Sequence, residues 1–330
     1  MSEATPQPTP GILHPYTPKL TAFEHSPRTP RSARAKHTLL FLGGLSDGLL
    51  TVHYPSVIAK HVPENWRVVE VMISSSYEGW RTGRIARDGE ELRRCVGYFR
   101  GLQEQEGGKI VVMGHSTGCQ GIMSLIVGPL SRISEWKDAE SRSADYEDVD
   151  IDGVILQGGV SDREAFLDQA KREGRADVLH DTVKRAKEAV EAGKGDDCMA
   201  RENHIMISET DPPITAYRTW SLLYPGADDD YFSSDTDRRE VEAVFGRLGR
   251  RAKRVAFLLG EKDPYVPESV DRSALVRMWT EGTEQGGGDV DRVNGGIVKG
   301  AEHNLNGQEE WIVLDLVGRV VRFLEGLERG

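Results

Sequence analysis

The sequence predicts an α/β fold, a mostly parallel, doubly wound sheet carrying a mainly helical cap insertion. Three observations predict it. Short apolar runs at 38–42, 67–74, 110–113, 151–157 and 254–259 read as strands, and strands buried on both faces take this continuous form. Segments with helical spacing intervene, such as Leu92, Val96, Phe99 and Leu102 ahead of the third run. That third run, Ile110-Val111-Val112-Met113, turns through Gly114-His115-Ser116-Thr117-Gly118 into an apolar stretch over 119–127, the order strand, tight turn, helix.

Glycines at 114 and 118 let a strained turn form and let the helix approach the strand, so that the Ser116 hydroxyl projects from the top of the sheet. This is the nucleophile elbow of an α/β-hydrolase. A bare G-x-S-x-G also suits a glycine-rich βα turn in which Ser116 only caps the helix. The buried strand before it and the helix after it favour the catalytic reading.

The length of 330 residues accommodates an α/β core of about 240 residues with an insertion. A formal charge of -11 argues against nucleic acid or an anionic membrane as the main partner. No window has the ~18 consecutive apolar residues of a membrane span, and the first thirty residues lack the apolar core of a secretory signal. Cys95, Cys119 and Cys198 are an odd number at unrelated spacings, without a metal-binding pattern. These features predict a cytoplasmic protein with reduced thiols, no metal and no cofactor.

Taken in order, residues 1–36 hold seven of the fifteen prolines and five basic residues against two acidic ones. Residues 1–15 are therefore expected to be disordered, with 20–24 as a short edge strand. The core is expected over 16–161 and 252–330. The strand at 38–42 runs into Gly43-Gly44-Leu45-Ser46-Asp47-Gly48. In this fold that loop supplies one backbone N–H of the oxyanion hole, here Leu45, with Thr117 N–H as the second. The next strand, 67–74, leads into a helix over 85–103. After Pro129, residues 131–150 read as a polar connection, and the strand over 151–157 ends in Gly158-Gly159-Val160-Ser161-Asp162. Residues 162–251 are expected to form the helical cap, with one helix marked by Leu179, Val183, Ala186 and Val190 and another by Val241, Val244, Phe245 and Leu248.

The sheet returns at 254–259 and is followed by Gly260-Glu261-Lys262-Asp263. Asp263 is the candidate acid of a triad; Glu261 and Asp162 are the alternatives. A weak last strand near 296–299 leads to Gly300-Ala301-Glu302-His303-Asn304, and a helix over 309–327 closes the chain. Ser116, Asp263 and His303 thus occur in the chain order nucleophile, acid, histidine, each after a strand. A serine hydroxyl needs an imidazole to take its proton, and the imidazole needs a carboxylate to fix its tautomer. His180 and His204 lie within the expected cap, where a histidine is more often structural. His115 reads as support for the elbow.

On Phe41-Leu42-Gly43-Gly44-Leu45-Ser46-Asp47-Gly48, Gly114-His115-Ser116-Thr117-Gly118, Gly260-Glu261-Lys262-Asp263 and Gly300-Ala301-Glu302-His303-Asn304, the chain resembles a mostly fungal family of α/β-hydrolases long labelled as of unknown function. That family includes a cytosolic siderophore esterase acting on fusarinine C. The resemblance implies Ser116, Asp263 and His303 as the triad and, as substrate, an ester bond between hydroxamate-bearing units of a siderophore. A general intracellular carboxylesterase, a lipase, a peptidase or an acyltransferase would use the same machinery with a different pocket. A non-catalytic binding protein of this fold would lose a triad member, and here none is missing.

Overall fold

The structure is a computed structural model that describes residues 8–26, 35–102, 107–131, 149 and 151–329. Among the described residues, nine strands form one sheet: β1 (Gly11–Pro15), β2 (Thr21–His25), β3 (His37–Leu42), β4 (Trp66–Val71), β5 (Ile110–His115), β6 (Gly153–Gln157), β7 (Arg254–Gly260), β8 (Asp289–Val290) and β9 (Gly296–Val298). Their order is β1-β2-β4-β3-β5-β6-β7-β8, with β9 also paired to β7. β1, β2 and β4 pair antiparallel, and every pairing from β4 to β9 is parallel. The α/β-hydrolase fold expected from the elbow is the fold observed.

Successive residues along a strand point to opposite faces, and the core divides accordingly. Leu39 and Phe41 of β3 pack on one side with Tyr54 and Ile58 of α1 (Tyr54–His61) and Leu316, Val320 and Phe323 of α9 (Glu310–Arg329). Leu40 and Leu42 point to the other side. There they meet α2 (Ile85–Gly101), α3 (Thr117–Ile126), α7 (Arg238–Arg251) and α8 (Arg272–Gln285). Fully burying each large apolar side chain, such as Leu316 or Phe323, contributes about 1.5–3 kcal/mol, and both faces of the central strands are covered.

Three sequence expectations change. Residues 11–15, expected to be disordered, form β1, with Leu13 opposite Phe23 and His14 opposite Ala22; β2 is therefore an inner strand rather than an edge. The helix at 238–251, expected in the cap, is α7, whose Val241, Val244, Phe245 and Leu248 belong to the sheet-packed core. A separate apolar cluster ties together α4 (Asp162–Arg172), α5 (Ala176–Glu191), α6 (Ala216–Leu223) and Trp80 of a 3-10 helix (Tyr77–Thr82), through Ala170, Leu179, Leu222 and Leu223. The third change is α8, which the sequence reading leaves out. The polar connection expected over 131–150 lies, apart from 131 and 149, outside the described residues.

Because β3, β5, β7 and β9 run parallel, the segments that leave their C-terminal ends emerge at one edge of the sheet. Those segments carry Leu45, Ser116, Asp263 and His303.

Candidate active site

β5 ends at His115, and Ser116 turns the chain into α3 with φ 53° and ψ -128°, a backbone conformation rare for a residue with a side chain. Ser116 N–H donates to Gln157 O (3.0 Å) and Ser116 O accepts from Cys119 N–H (2.8 Å), so both neighbours of the elbow hold it there. The glycines serve close approach. A Cβ on Gly118 would lie 2.2 Å from Leu42 O, and one on Gly44 would lie 2.5 Å from Ser116 Cβ. The loop after β3 therefore lies against the serine.

Asp263, fully buried, accepts from His303 Nδ1 at Oδ2 (2.7 Å), and its Oδ1 accepts Tyr265 N–H (3.0 Å). Holding Nδ1–H leaves Nε2 as the basic nitrogen of a neutral ring. The His303 ring lies 4.8 Å from the His115 ring and 4.6 Å from that of Tyr265, edge-on to the latter. Gly158 has room for His303 because it has no side chain; a Cβ there would sit 3.3 Å from Cε1.

Gln157, the last residue of β6, holds the site from below. Its Oε1 accepts from Tyr54 Oη (2.8 Å) and from His115 Nδ1 (2.6 Å), and its Nε2 donates to His303 O (3.1 Å). Burial, then the neighbouring His303, pushes the His115 pKa down to about 3. His115 is thus neutral with its proton on Nδ1, and its 3.9 Å approach to Asp47 is not an ion pair. Asp47 instead organises the loop after β3: Oδ2 accepts Gly44 N–H (2.8 Å) and Oδ1 accepts Thr51 Oγ1–H (2.9 Å). With Gly44 N–H occupied, Leu45 N–H has no acceptor among the described residues. Thr117 opens α3, where a first-turn N–H lacks an intrahelical partner.

The alternative residues stand apart from this pair. Glu261 accepts Gly300 N–H (2.8 Å) and braces a turn. Asp162 accepts from Gln120 Nε2 (3.0 Å) rather than from His303. Burial, with Asp229 adding to it, pushes Asp162 up to about 7. His180 is exposed on α5. His204 is buried beside Thr219 of α6, where burial lowers its pKa to about 4; its Nδ1 accepts Met206 N–H (3.1 Å). Sequence reasoning missed Gln157, Tyr54, Tyr265 and the anchoring role of Asp47. A glutamine closing the apolar run Val154-Ile155-Leu156 was the one visible sign. Among the described residues, no group of three or more His, Cys, Asp or Glu side chains is placed to hold a metal ion.

Residues 1–325 match the family model described as a protein of unknown function, DUF1749. Esterase AN6793 of Emericella nidulans is 32% identical, over 98% of this chain and 94% of its own length. Fusarinine C esterase sidJ of Aspergillus fumigatus is 31% identical, over 96% of each. Among solved structures, the siderophore hydrolase EstB from Aspergillus fumigatus superposes with a TM-score of 0.79 at 28% identity, covering 99% of this chain and 100% of that one.

Proposed function

The chain belongs to the DUF1749 family, and from that membership and the geometry above we propose that it is a serine esterase that opens the ester bonds of a hydroxamate siderophore of the fusarinine C type. That it is a carboxylic ester hydrolase follows from the fold together with its named esterase relatives. The observation that carries the catalytic assignment is the 2.7 Å pair of His303 and buried Asp263 at the sheet edge where Ser116 stands in its strained turn.

In this reading Ser116 Oγ attacks the ester carbonyl carbon while His303 Nε2 takes its proton, and Asp263 stabilises the imidazolium that forms. The N–H groups of Leu45 and Thr117 receive the carbonyl oxygen as it becomes an oxyanion. His303 then protonates the departing alkoxide, the alcohol leaves, and a water activated by the same nitrogen hydrolyses the acyl-enzyme. No step requires a redox partner or a metal of the protein's own.

The substrate assignment is supported by the fusarinine C esterase and the siderophore hydrolase among the relatives. It is also chemically coherent. Hydrolysing the esters of a cyclic chelator removes the preorganisation of its hydroxamates, so iron affinity falls without reduction. Ser116→Ala should abolish fluorophosphonate labelling and lower turnover at least about 10³-fold. Mass spectrometry of fusarinine C digests, with and without iron, should show linear hydroxamic acids for the wild type and none for the variant. Cleavage of p-nitrophenyl esters with fusarinine C left intact would make a general carboxylesterase the better description.

A further inference from the structure

Beside the oxyanion loop lies a narrow cavity whose walls come from Gly43, Gly44 and Leu45 on one side and from Ser75, Trp80, Asp88 and Arg218 on the other. Thr117 and Gly121 of α3 complete it, so it opens next to both candidate oxyanion donors. Arg218 comes from α6 and is 2% exposed; Trp80 comes from the 3-10 helix and is 5% exposed. Each holds a buried N–H with no acceptor among the described residues: Nε of Arg218 and Nε1 of Trp80. A buried donor left without a partner is costly, and of those among the described residues these two occur on residues lining the same cavity.

The charges around the cavity narrow what could satisfy those donors. Arg218 Nη1 is paired with Asp229 Oδ2 (2.7 Å), and Asp229 Oδ1 accepts Ser221 Oγ–H. Asp88 accepts from Ser75 Oγ at Oδ1 (2.5 Å), and Asp88 and Asp162 both act electrostatically on Arg218. The Arg218 guanidinium thus has its charge matched by Asp229 in contact, and a second guanidinium, Arg87, donates to Ser75 Oγ (3.4 Å) on the side of Asp88. Burial pushes Asp88 up to about 6 even with Arg218 beside it, so these surroundings disfavour a carboxylate charge. A further carboxylate would meet the same burial penalty with Arg218 already paired, whereas an uncharged oxygen acceptor would meet free donors without adding charge.

Building on the esterase reading, we propose that Arg218 and Trp80 form an acyl-side subsite that recognises an uncharged oxygen acceptor, such as a ketone, amide or hydroxamate carbonyl, on the acid half of the ester. The test compares p-nitrophenyl esters of pentanoic acid, 4-oxopentanoic acid and glutaric acid. The wild type should favour the 4-oxopentanoyl ester over the pentanoyl ester by about tenfold in kcat/KM, with the glutaryl ester slowest. Trp80→Phe removes only the N–H donor and should bring the oxo-to-alkyl ratio toward one. Arg218→Lys keeps a cation for Asp229, drops Nε and should shift the same ratio; if it fails to fold, Trp80→Phe still decides. A wild type that hydrolyses the pentanoyl ester without preferring the oxo ester overturns this inference alone. An unchanged ratio in Trp80→Phe does the same. A wild type that hydrolyses none of the three overturns the esterase reading and the subsite with it.

Discussion

Asp162 and Asp263 both follow buried strands, and their surroundings give their carboxyl groups opposite roles. Asp263 receives His303 Nδ1–H and Tyr265 N–H, whereas Asp162 is half-buried, accepts from Gln120 Nε2 and has no cation in contact among the described residues. Asp263→Asn should therefore lower kcat by about 10²–10⁴ with little change in KM, because the imidazole loses its tautomer and its charge partner. Asp162→Asn should leave turnover within about threefold and act on stability instead. The folded protein holds the Asp162 proton up to about pH 7, the unfolded chain only to near the ordinary 3.8. Between those values the folded state binds more protons, so this group's contribution to stability falls as pH rises from about 4 to about 7. Denaturant titrations should show the variant gaining about 1–3 kcal/mol over the wild type at pH 8, with the gain vanishing near pH 4. If Asp162→Asn did the greater damage to kcat, the triad acid would be misassigned.

At the scale of the element, the loop over 43–52 is held in an uncommon shape. Ser46 and Leu50 both have positive φ, 67° and 65°, and so does Tyr77, at 53°, whose N–H donates to Asp47 O. Asp47, the Tyr77 hydroxyl and Glu70, whose Oε2 accepts Leu50 N–H (2.7 Å), fasten it. Asp47→Ala should free Gly44 N–H, blur the position of Leu45 N–H and reduce kcat about 10- to 100-fold with KM nearly unchanged, measured on a soluble ester. Sequence alone made the loop visible through Gly43-Gly44-Leu45-Ser46-Asp47-Gly48 but not its fastenings, since Glu70 and Tyr77 return from distant positions. Helix α8 was hidden for a different reason. Its backbone approaches α7 most closely at small residues, where a Cβ on Gly249 would lie 2.1 Å from Thr283 O and one on Gly286 would lie 2.0 Å from Gly246 O, while Trp279 stacks on Phe245 of α7. Beyond Leu275, Val276 and Trp279 its buried face is Thr280, Gly282 and Thr283, which leaves the apolar stripe too short for periodicity to detect. Strand β1 escaped because only His14 of its five residues is buried, while Ile12 and Leu13 face solvent.

Across the whole molecule, the N-terminal hairpin is tied to the loop after β3 through Glu70. His25 Nε2 meets Glu70 Oε1 (2.6 Å), and the other oxygen of Glu70 holds Leu50. Deleting residues 1–26 should uncover the edge of β4, leave Glu70 without its histidine and loosen the oxyanion loop. The expected outcome is aggregation on size-exclusion chromatography and, in the fraction that stays monomeric, a kcat lowered by about tenfold or more; full activity would show that the hairpin is ornamental. The triad candidates were legible because each follows a strand in a short motif, whereas their support was not, because Gln157, Tyr54 and His115 meet only in three dimensions. The parallel sheet also sets a timetable for protein synthesis. The ribosome completes β5 and the elbow early, but Asp263 and His303 are paired only after β7 and β9 have been made, and α9 must then close over the far face. Non-local pairing of this kind forms late. In the proposed reading a nascent chain therefore carries Ser116 well before the residues that would serve as its base and acid, and the hydrolytic machinery is assembled only as the last strands are laid down.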